Sequence, residues 1–410
     1  MKSLSKGRYM LVLISMCGVI ACSLGLATNV AGLFFDPVAK EFGILRGSVS
    51  LTLTLTNLIY PLGGFLVFRL IDKLGIKPAL IVMSALVIGS TAALAFAQNI
   101  IVMYVICAVR GIASGMFGIV FATTIINRWF YKNAGLFTSI AMAFSGLAGA
   151  VFSPMISGVI QAAGWRQAYL FTALLAILCC LPSILFVPSA DPHTIHTAAY
   201  GEQAMEAETE RENHGAKKNS DAQVDRRLFI LVSLFPLAVA AATAFPQHFP
   251  GVAEAYGKAA SVGALMLSIT MLMNSLGKIL YGILSDHFGT RISISLYCVL
   301  ITAGLLVMIV SSSALMMYIC CALIGLSYGA STVGVVSLTK DTFGMEAYDK
   351  VYPVLSMGGN ISNALMSTII GYMYDFTGGY LLPLGFIAVM TACSAGLVQV
   401  IFRKKTSGNR

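Results

Sequence analysis

Long apolar stretches recur along the whole chain and alternate with short polar breaks. The stretches from Tyr9 to Phe34, Leu51 to Phe68 and Leu315 to Leu338 are typical of the pattern. A helix of about 20 apolar residues crosses the ~30 Å hydrocarbon core of a bilayer. The pattern predicts twelve such spans, at residues 9–34, 48–68, 78–96, 101–126, 135–160, 168–187, 228–247, 259–284, 291–311, 315–338, 350–372 and 380–402.

The polar breaks predict how the spans are oriented. Fifteen lysines and arginines fall in the termini and in the short loops on one side, whereas four fall in the short loops on the other side. Basic residues of short loops concentrate in the cytoplasm, so both termini are expected there. The longest break, residues 188–227, is polar and glutamate-rich and has too few apolar residues to form a core. We expect it to be a mobile cytoplasmic linker between a domain at 1–187 and a domain at 228–410.

The two sides of this linker match each other at a constant separation of 214 residues, as an internal parallel repeat would. The matching pairs are Asp72 and Asp286, Gly75 and Gly289, Gly111 and Gly325, Gly115 and Gly329, and Gly164 and Gly378. General regularity of a helix bundle is the alternative explanation of these matches. The repeat predicts an all-α polytopic membrane protein with twelve transmembrane helices in two pseudo-symmetric six-helix bundles.

Composition agrees with the membrane class, because 58% of the 410 residues are hydrophobic and 10% are charged, against about 25% charged in soluble domains. All nine cysteines fall in apolar stretches, where they behave as small hydrophobic residues without disulfide or metal-ligand spacing. The net charge of +9 is divided among short loops, which indicates topology rather than nucleic-acid binding. The five histidines are scattered, so we expect no enzyme site, no metal and no cofactor.

Two basic residues, Arg110 and Lys278, lie inside predicted spans, and none of the 17 acidic residues lies deep in a span. A charge in a span is costly and normally faces protein or water on a substrate or ion path. Arg110 lies about ten residues into its span, near the middle of the membrane. Lys278 lies about two turns from the cytoplasmic loop, so a snorkelling side chain is its alternative.

Four uncharged polar residues at similar depth are further candidates for substrate binding: Asn57, Asn274, Tyr328 and Asn360. Amide and phenol groups bind a carboxylate by hydrogen bonds without adding charge. A hydrogen bond between helices is the alternative for each of them. Tyr328 is the stronger candidate for substrate binding, because it is the repeat-related position of Ser114, which lies close to Arg110 in sequence.

Two polar loops carry the same short motif, Asp72–Lys77 after the second predicted span and Gly282–Arg291 after the eighth. An aspartate at a helix end with a basic residue nearby forms a charge-assisted bond, and glycine permits a tight turn. These loops resemble the cytoplasmic signature loop of the major facilitator superfamily, although Phe68 replaces the leading glycine of the first copy. The resemblance implies alternating access, with a conformational switch at Asp72, Lys73, Gly75, Gly282, Asp286, Gly289 and Arg291.

The short loop Trp129–Gly135, between the fourth and fifth predicted spans, is similar to the corresponding loop of the oxalate/formate antiporter and monocarboxylate transporter branch. Ala134 stands where that branch has arginine. The branch has a basic residue in the eighth helix that pairs with an anionic substrate, and Lys278 matches its position. The oxalate carrier also uses a lysine in the eleventh helix. The corresponding residues 355–360 contain no basic residue, which argues against a dicarboxylate such as oxalate.

We therefore expect a secondary active transporter of a small organic anion, specifically a monocarboxylate, acting as a monomer in the cytoplasmic membrane. Because no carboxylate lies deep in a span, coupling is expected either to a counter-anion or to a proton carried with the substrate. An exporter of hydrophobic or drug-like compounds on the same fold is the alternative, since two cations are compatible with an apolar cavity. A receptor or sensor that has lost transport would keep the same fold.

Overall fold

The structure is a computed structural model that describes residues 6–187, 189, 192, 198–200, 226–311, 313–326 and 328–408. Its named elements are all helical. The first eight α-helices are α1 (Lys6–Ile20), α2 (Phe35–Phe42), α3 (Arg46–Leu74), α4 (Ile76–Ala93), α5 (Ile100–Met116), α6 (Ile119–Trp129), α7 (Ala134–Ala163) and α8 (Trp165–Phe186). The later ones are α9 (Arg226–Ala244), α10 (Phe249–Ala255), α11 (Ala260–Val310), α12 (Ala314–Leu326), α13 (Val335–Thr377) and α14 (Leu381–Gly408).

Ten helical segments of the described chain are long and apolar enough to cross a membrane, whereas the sequence predicts twelve. The 51-residue helix α11 contains two predicted spans, 259–284 and 291–311, and counts once. The predicted span 350–372 lies in α13 and is not among the ten, because asparagine and serine side chains lower its mean hydropathy. The all-helical class is confirmed, and the count of twelve stays a prediction.

Two repeat-related glycines interrupt the helices at the same point of the signature loop. Gly75 has φ 79° and ψ 167° between α3 and α4, and Gly289 has φ 78° and ψ 159° inside α11. A residue with a side chain rarely adopts this positive φ, so both loops need glycine here. The tight turn predicted from the motif is therefore present in both copies.

Contacts divide the chain into two compact units. Unit 1 comprises Met1–Ala31 and Leu55–Lys217, and unit 2 comprises Gly32–Thr54 and Lys218–Arg410. Helix α3 accordingly begins in unit 2 and continues in unit 1. Residues 32–54 thus belong to the first repeat by sequence but pack within unit 2.

Glycines let two helices of unit 1 approach closely. A methyl group added at Gly111 would lie 2.7 Å from the Thr56 carbonyl oxygen, and one at Gly115 would lie 1.9 Å from that of Tyr60. Backbone atoms cannot yield as side-chain ends do, so neither position has room for a side chain. Gly111 and Gly115 therefore form a close-packing surface between α5 and α3.

The repeat-related glycines of unit 2 pack in the same way. A methyl group at Gly325 would lie 2.5 Å from the Thr270 carbonyl oxygen, and one at Gly329 would lie 2.5 Å from that of Gly277. Helices α11 and α12 therefore meet through backbone, as α3 and α5 do in unit 1.

The described part of the predicted linker packs against unit 1. The Tyr9 hydroxyl donates to the Ala198 carbonyl at 2.6 Å, and the Trp129 indole N–H donates to the Ser189 carbonyl at 3.1 Å. The Tyr200 N–H donates to the Trp129 carbonyl at 2.8 Å. These described residues thus contact unit 1, most of 188–227 lies outside the described residues, and a mobile cytoplasmic linker stays a prediction.

Candidate functional site

A cavity of about 280 Å³ lies within unit 2, between helices α9 and α13, Tyr328 and the π-helical turn Ala330–Gly334. The described residues that line it carry no formal charge. Its polar lining consists of Thr243, Tyr328, Ser331, Thr332, Tyr352, Ser356, Asn360 and Asn363. These hydroxyl and amide groups share the lining with apolar surface, so the cavity offers several neutral hydrogen-bond donors and acceptors in a small volume.

Thr243, near the end of α9, organises one wall of this cavity. Its carbonyl accepts from the Tyr328 hydroxyl at 2.6 Å, and its hydroxyl accepts from the Asn363 amide at 2.8 Å. These bonds fix the orientations of both side chains. Asn360 lies one turn before Asn363 on α13, is exposed, and makes no hydrogen bond to the described residues. Its amide is therefore free to bind a ligand.

Lys278 and Asn274 lie on α11, one turn apart, and neither lines the cavity. Lys278 is half-buried, and within the described chain it forms no ion pair. Asn274 is 6% exposed, and its side-chain oxygen lacks a hydrogen-bond partner among the described residues. The pair thus offers a cation and an acceptor that the described protein leaves unused.

Arg110 and Asn57 lie in unit 1. Arg110 is 5% exposed and donates to the Ala27 carbonyl through Nη2, while its Nε has no partner among the described residues. Asn57 is half-buried on α3. Of the six predicted binding residues, the structure therefore brings Tyr328 and Asn360 together in one cavity and places the other four elsewhere in the two units.

The predicted switch residues lie on the surface of their loops. Asp72, Lys73 and Asp286 are exposed, and neither aspartate forms an ion pair within the described chain. The Arg291 guanidinium instead donates through Nε to the Gln399 side-chain oxygen at 2.6 Å. Gly282 lies on α11 with open space around its Cα. The charge-assisted bond expected from the motif is thus not formed in this structure.

Several functional candidates escaped the sequence analysis. Thr243 and Asn363 line the cavity. Asn360 and Asn363 are three residues apart, a spacing that places both on one face of a helix and could have indicated Asn363 from the sequence. Arg46 lies just before the predicted span 48–68, yet it begins α3 and is 3% exposed. No three His, Cys, Asp or Glu side chains of the described chain come together as metal ligands.

Comparison with known proteins shows where this arrangement belongs. The sequence model of the Major Facilitator Superfamily matches residues 17–250 and 228–410. The chain is 25% identical over 387 residues to the probable sulfoacetate transporter SauU of Cupriavidus necator, covering 88% of this chain and 82% of that protein. It is 28% identical over 148 residues to the oxalate:formate antiporter of Oxalobacter formigenes, covering 35% of this chain and 34% of that protein.

A solved structure shares the fold. The crystal structure of a bacterial homologue of the human lysosomal transporter Spinster, in an inward-facing and occupied conformation, matches with a TM-score of 0.71. The alignment covers 98% of each chain at 15% sequence identity, so it supports the fold alone.

The family match extends over both sequence halves, and the relatives are transporters rather than enzymes. The apolar helices then make this chain a multi-pass membrane protein. The resemblance seen in the two signature loops is thereby confirmed, and the chain is a transporter that belongs to the major facilitator superfamily.

Proposed function

We propose that this chain is a secondary active transporter that moves a small organic anion, a monocarboxylate, by alternating access. The observation that carries the proposal is Lys278, a half-buried cation in an apolar helix that no carboxylate of the described chain neutralises. A cation in surroundings of low dielectric gains strongly from an anionic ligand. Transport would be coupled to a proton or to exchange for another anion.

The cavity of unit 2 supports a substrate with one charge. Its lining offers hydroxyl and amide groups but no cation, so a second carboxylate placed there would lose its hydration without gaining an ion pair. We propose that Lys278 attracts the carboxylate, while Asn274, Tyr328 and Asn360 of the same unit contribute hydrogen bonds. A binding role of Asn57, in unit 1, stays a prediction. Arg110 would support the fold or the coupling.

The relatives support an anion rather than a lipophilic compound. The names of the two reported relatives specify sulfoacetate, oxalate and formate, all small organic anions. The exporter alternative is therefore not favoured.

We propose twelve transmembrane helices in two six-helix bundles, residues 1–187 and 228–410, in the cytoplasmic membrane. The interruption of α11 at Gly289 supports counting that helix as two spans. The α13 segment after its own break at Gly344 would supply the eleventh span.

With both termini and residues 188–227 cytoplasmic, a cysteine introduced at Ser220 should not react with a membrane-impermeant maleimide added to intact cells. Permeabilised cells should label fully, because a polar linker is accessible from its own side. The nine native cysteines are replaced in this variant, so that the maleimide reacts only at position 220. If intact cells are labelled as fast as permeabilised cells, residue 220 lies outside the cell and the proposed orientation is wrong.

Replacing Asp286 by asparagine should slow flux about tenfold while leaving the substrate Kd unchanged within about twofold, since a switch residue acts on the conformational step and not on binding. Asp72→Asn should have the same effect at the repeat-related position. The control is His287→Gln, an exposed neighbour in the same loop. Flux at the wild-type rate in both aspartate variants would show that the motif has no switching role.

A competition panel tests the substrate class. Uptake of labelled formate or lactate into proteoliposomes should be inhibited by short monocarboxylates and much less by oxalate or by the lipophilic cation tetraphenylphosphonium. Inhibition by the lipophilic cation alone would favour the exporter.

A further inference from the structure

Three hydroxyl groups that line the unit 2 cavity have already donated their hydrogens to the protein. The Tyr328 hydroxyl donates to the Thr243 carbonyl at 2.6 Å. The hydroxyls of Ser331 and Thr332 donate to the Tyr328 carbonyl at 3.0 Å and 2.9 Å. A hydroxyl oxygen whose one hydrogen is used still accepts through its lone pairs. These groups of the lining therefore serve a ligand as hydrogen-bond acceptors.

Asn363 adds a further acceptor to the lining. Its amide nitrogen donates to the Thr243 hydroxyl at 2.8 Å and to the Ala240 carbonyl at 3.4 Å, so both N–H groups are used. These bonds fix the orientation of the amide, because the opposite orientation would place its oxygen against the Ala240 carbonyl oxygen. The side-chain oxygen of Asn363 accepts no hydrogen bond from the described residues and is left for a ligand.

Groups that can still donate lie along one face of α13. Asn360 has a free amide, and the hydroxyls of Ser356 and Tyr352 make no hydrogen bond to the described residues. Neighbouring members of this row are four residues apart, so they lie about one turn apart on the same side of the helix. The cavity therefore offers a ligand both a set of acceptors and a row of donors.

This combination selects the chemistry of the ligand. A carboxylate only accepts hydrogen bonds, so it finds no partner among the acceptors of the lining. A hydroxyl group uses both kinds, since it donates to one oxygen while it accepts from an N–H or another O–H. Pro236, Ala240 and Val335 supply apolar surface, against which the C–H groups of a carbon chain pack. The lining thus complements a carbon chain that carries several hydroxyl groups.

The volume of the cavity suits the same kind of molecule. At about 280 Å³ it is close to the lower end of the range of small-molecule sites, about 300 to 1,000 Å³. Formate has no atoms beyond its carboxylate to place there, whereas a hydroxylated chain of several carbons would occupy the space. Lys278 lies outside the lining, so the cavity recognises hydroxyl groups and not charge.

We propose that this cavity binds the hydroxylated part of the substrate, and that the transported anion is a polyhydroxylated monocarboxylate, an acid of the aldonic type. The charge of this anion rests on the proposed function, whereas its hydroxyl groups rest on the cavity itself. A purely aliphatic acid in the cavity displaces water from the acceptors and returns no hydrogen bond to them, which lowers its affinity. Hydroxyl groups therefore determine which monocarboxylates bind tightly.

Two acids and one polyol of equal chain length test the proposal. Butyrate has the carboxylate alone, 2,3,4-trihydroxybutyrate has the carboxylate and hydroxyl groups, and erythritol has hydroxyl groups alone. Affinities are measured on the purified full-length protein by isothermal titration calorimetry. The trihydroxy acid should bind at least about tenfold more tightly than butyrate, as the gain of one or two hydrogen bonds would give. Equal affinities of the two acids would overturn the proposal.

Thr332→Val removes one acceptor and keeps the shape of an exposed side chain. It should weaken binding of trihydroxybutyrate about fivefold and leave the Kd of butyrate unchanged within about twofold, because only the hydroxylated acid uses the lost oxygen. Asn363→Leu removes a second acceptor and should have the same selective effect. If both variants lose affinity for the two acids equally, or for neither, the cavity does not recognise hydroxyl groups and the proposal is wrong.

The control is Ser362→Ala, next to Asn363 on α13. Ser362 does not line the cavity, and its hydroxyl donates to the Leu237 carbonyl at 3.1 Å. Both acids should bind this variant as they bind the unchanged protein, and melting curves identify any variant that is not folded. A selective loss in Ser362→Ala as large as that in Thr332→Val would show that the effect does not come from the lining, and would overturn the proposal.

Erythritol separates this inference from the monocarboxylate proposal. It should bind the unchanged protein, and more weakly the Thr332→Val variant. If erythritol binds in this way and neither acid does, the monocarboxylate proposal fails while recognition of hydroxyl groups by the cavity stands. If both acids bind equally and erythritol does not bind, the monocarboxylate proposal stands and the polyhydroxylated substrate is wrong.

Discussion

Replacing Lys278 by methionine is expected to weaken monocarboxylate binding between about tenfold and a hundredfold, as loss of a charge-assisted hydrogen bond would. Lys278 is half-buried and forms no ion pair within the described chain, so an anionic ligand is what would neutralise it. Lys278→Arg keeps the charge but changes its geometry, and it should retain partial transport. Binding is measured on purified protein by isothermal titration calorimetry.

The control for this variant is Lys258→Met, the same change at a half-buried lysine of unit 2 outside the apolar segments. It should bind monocarboxylates as the unchanged protein does. Wild-type affinity in Lys278→Met would mean that this lysine snorkels to the cytoplasmic surface, and would remove the main support for an acidic substrate.

Replacing Arg110 by alanine is expected to lower the melting temperature by roughly 5 °C or more and to abolish flux. Arg110 is 5% exposed, and its guanidinium donates to the Ala27 carbonyl within unit 1. Its removal leaves that buried carbonyl without its donor and opens a cavity. Differential scanning fluorimetry and proteoliposome uptake measure the two effects.

The control is Arg69→Ala, which removes an exposed arginine of α3 and should leave the melting temperature nearly unchanged. If Arg110→Ala keeps expression, thermal stability and flux, the side chain has no structural or coupling role.

Much of the fold could be predicted because local patterns determine it. Apolar stretches predicted the helices, and the glycines of the two signature loops predicted the breaks at Gly75 and Gly289. The glycines paired at the same offset, Gly111 and Gly325, both lie at close helix contacts. These features depend on the helix surface or on one backbone angle, which a short segment of sequence specifies.

The polar clusters could not be predicted in the same way, because they join residues that are distant in sequence. The sequence around Arg46 does not distinguish it from an ordinary loop residue. Its contacts with Asp36, Tyr374 and Asp375 appear only in the folded chain. Thr243 likewise becomes prominent only through its bonds to Tyr328 and Asn363.

Counterflow in proteoliposomes shows whether this transporter carries a monocarboxylate across the membrane. Vesicles loaded with an unlabelled short monocarboxylate are diluted into a trace of the labelled acid, with empty vesicles and vesicles containing Lys278→Met in parallel. Label should accumulate transiently above the external concentration with the unchanged protein, and should not accumulate in either comparison. Absence of counterflow for every short monocarboxylate, in protein that is folded by its melting curve, would show that this chain does not transport monocarboxylates.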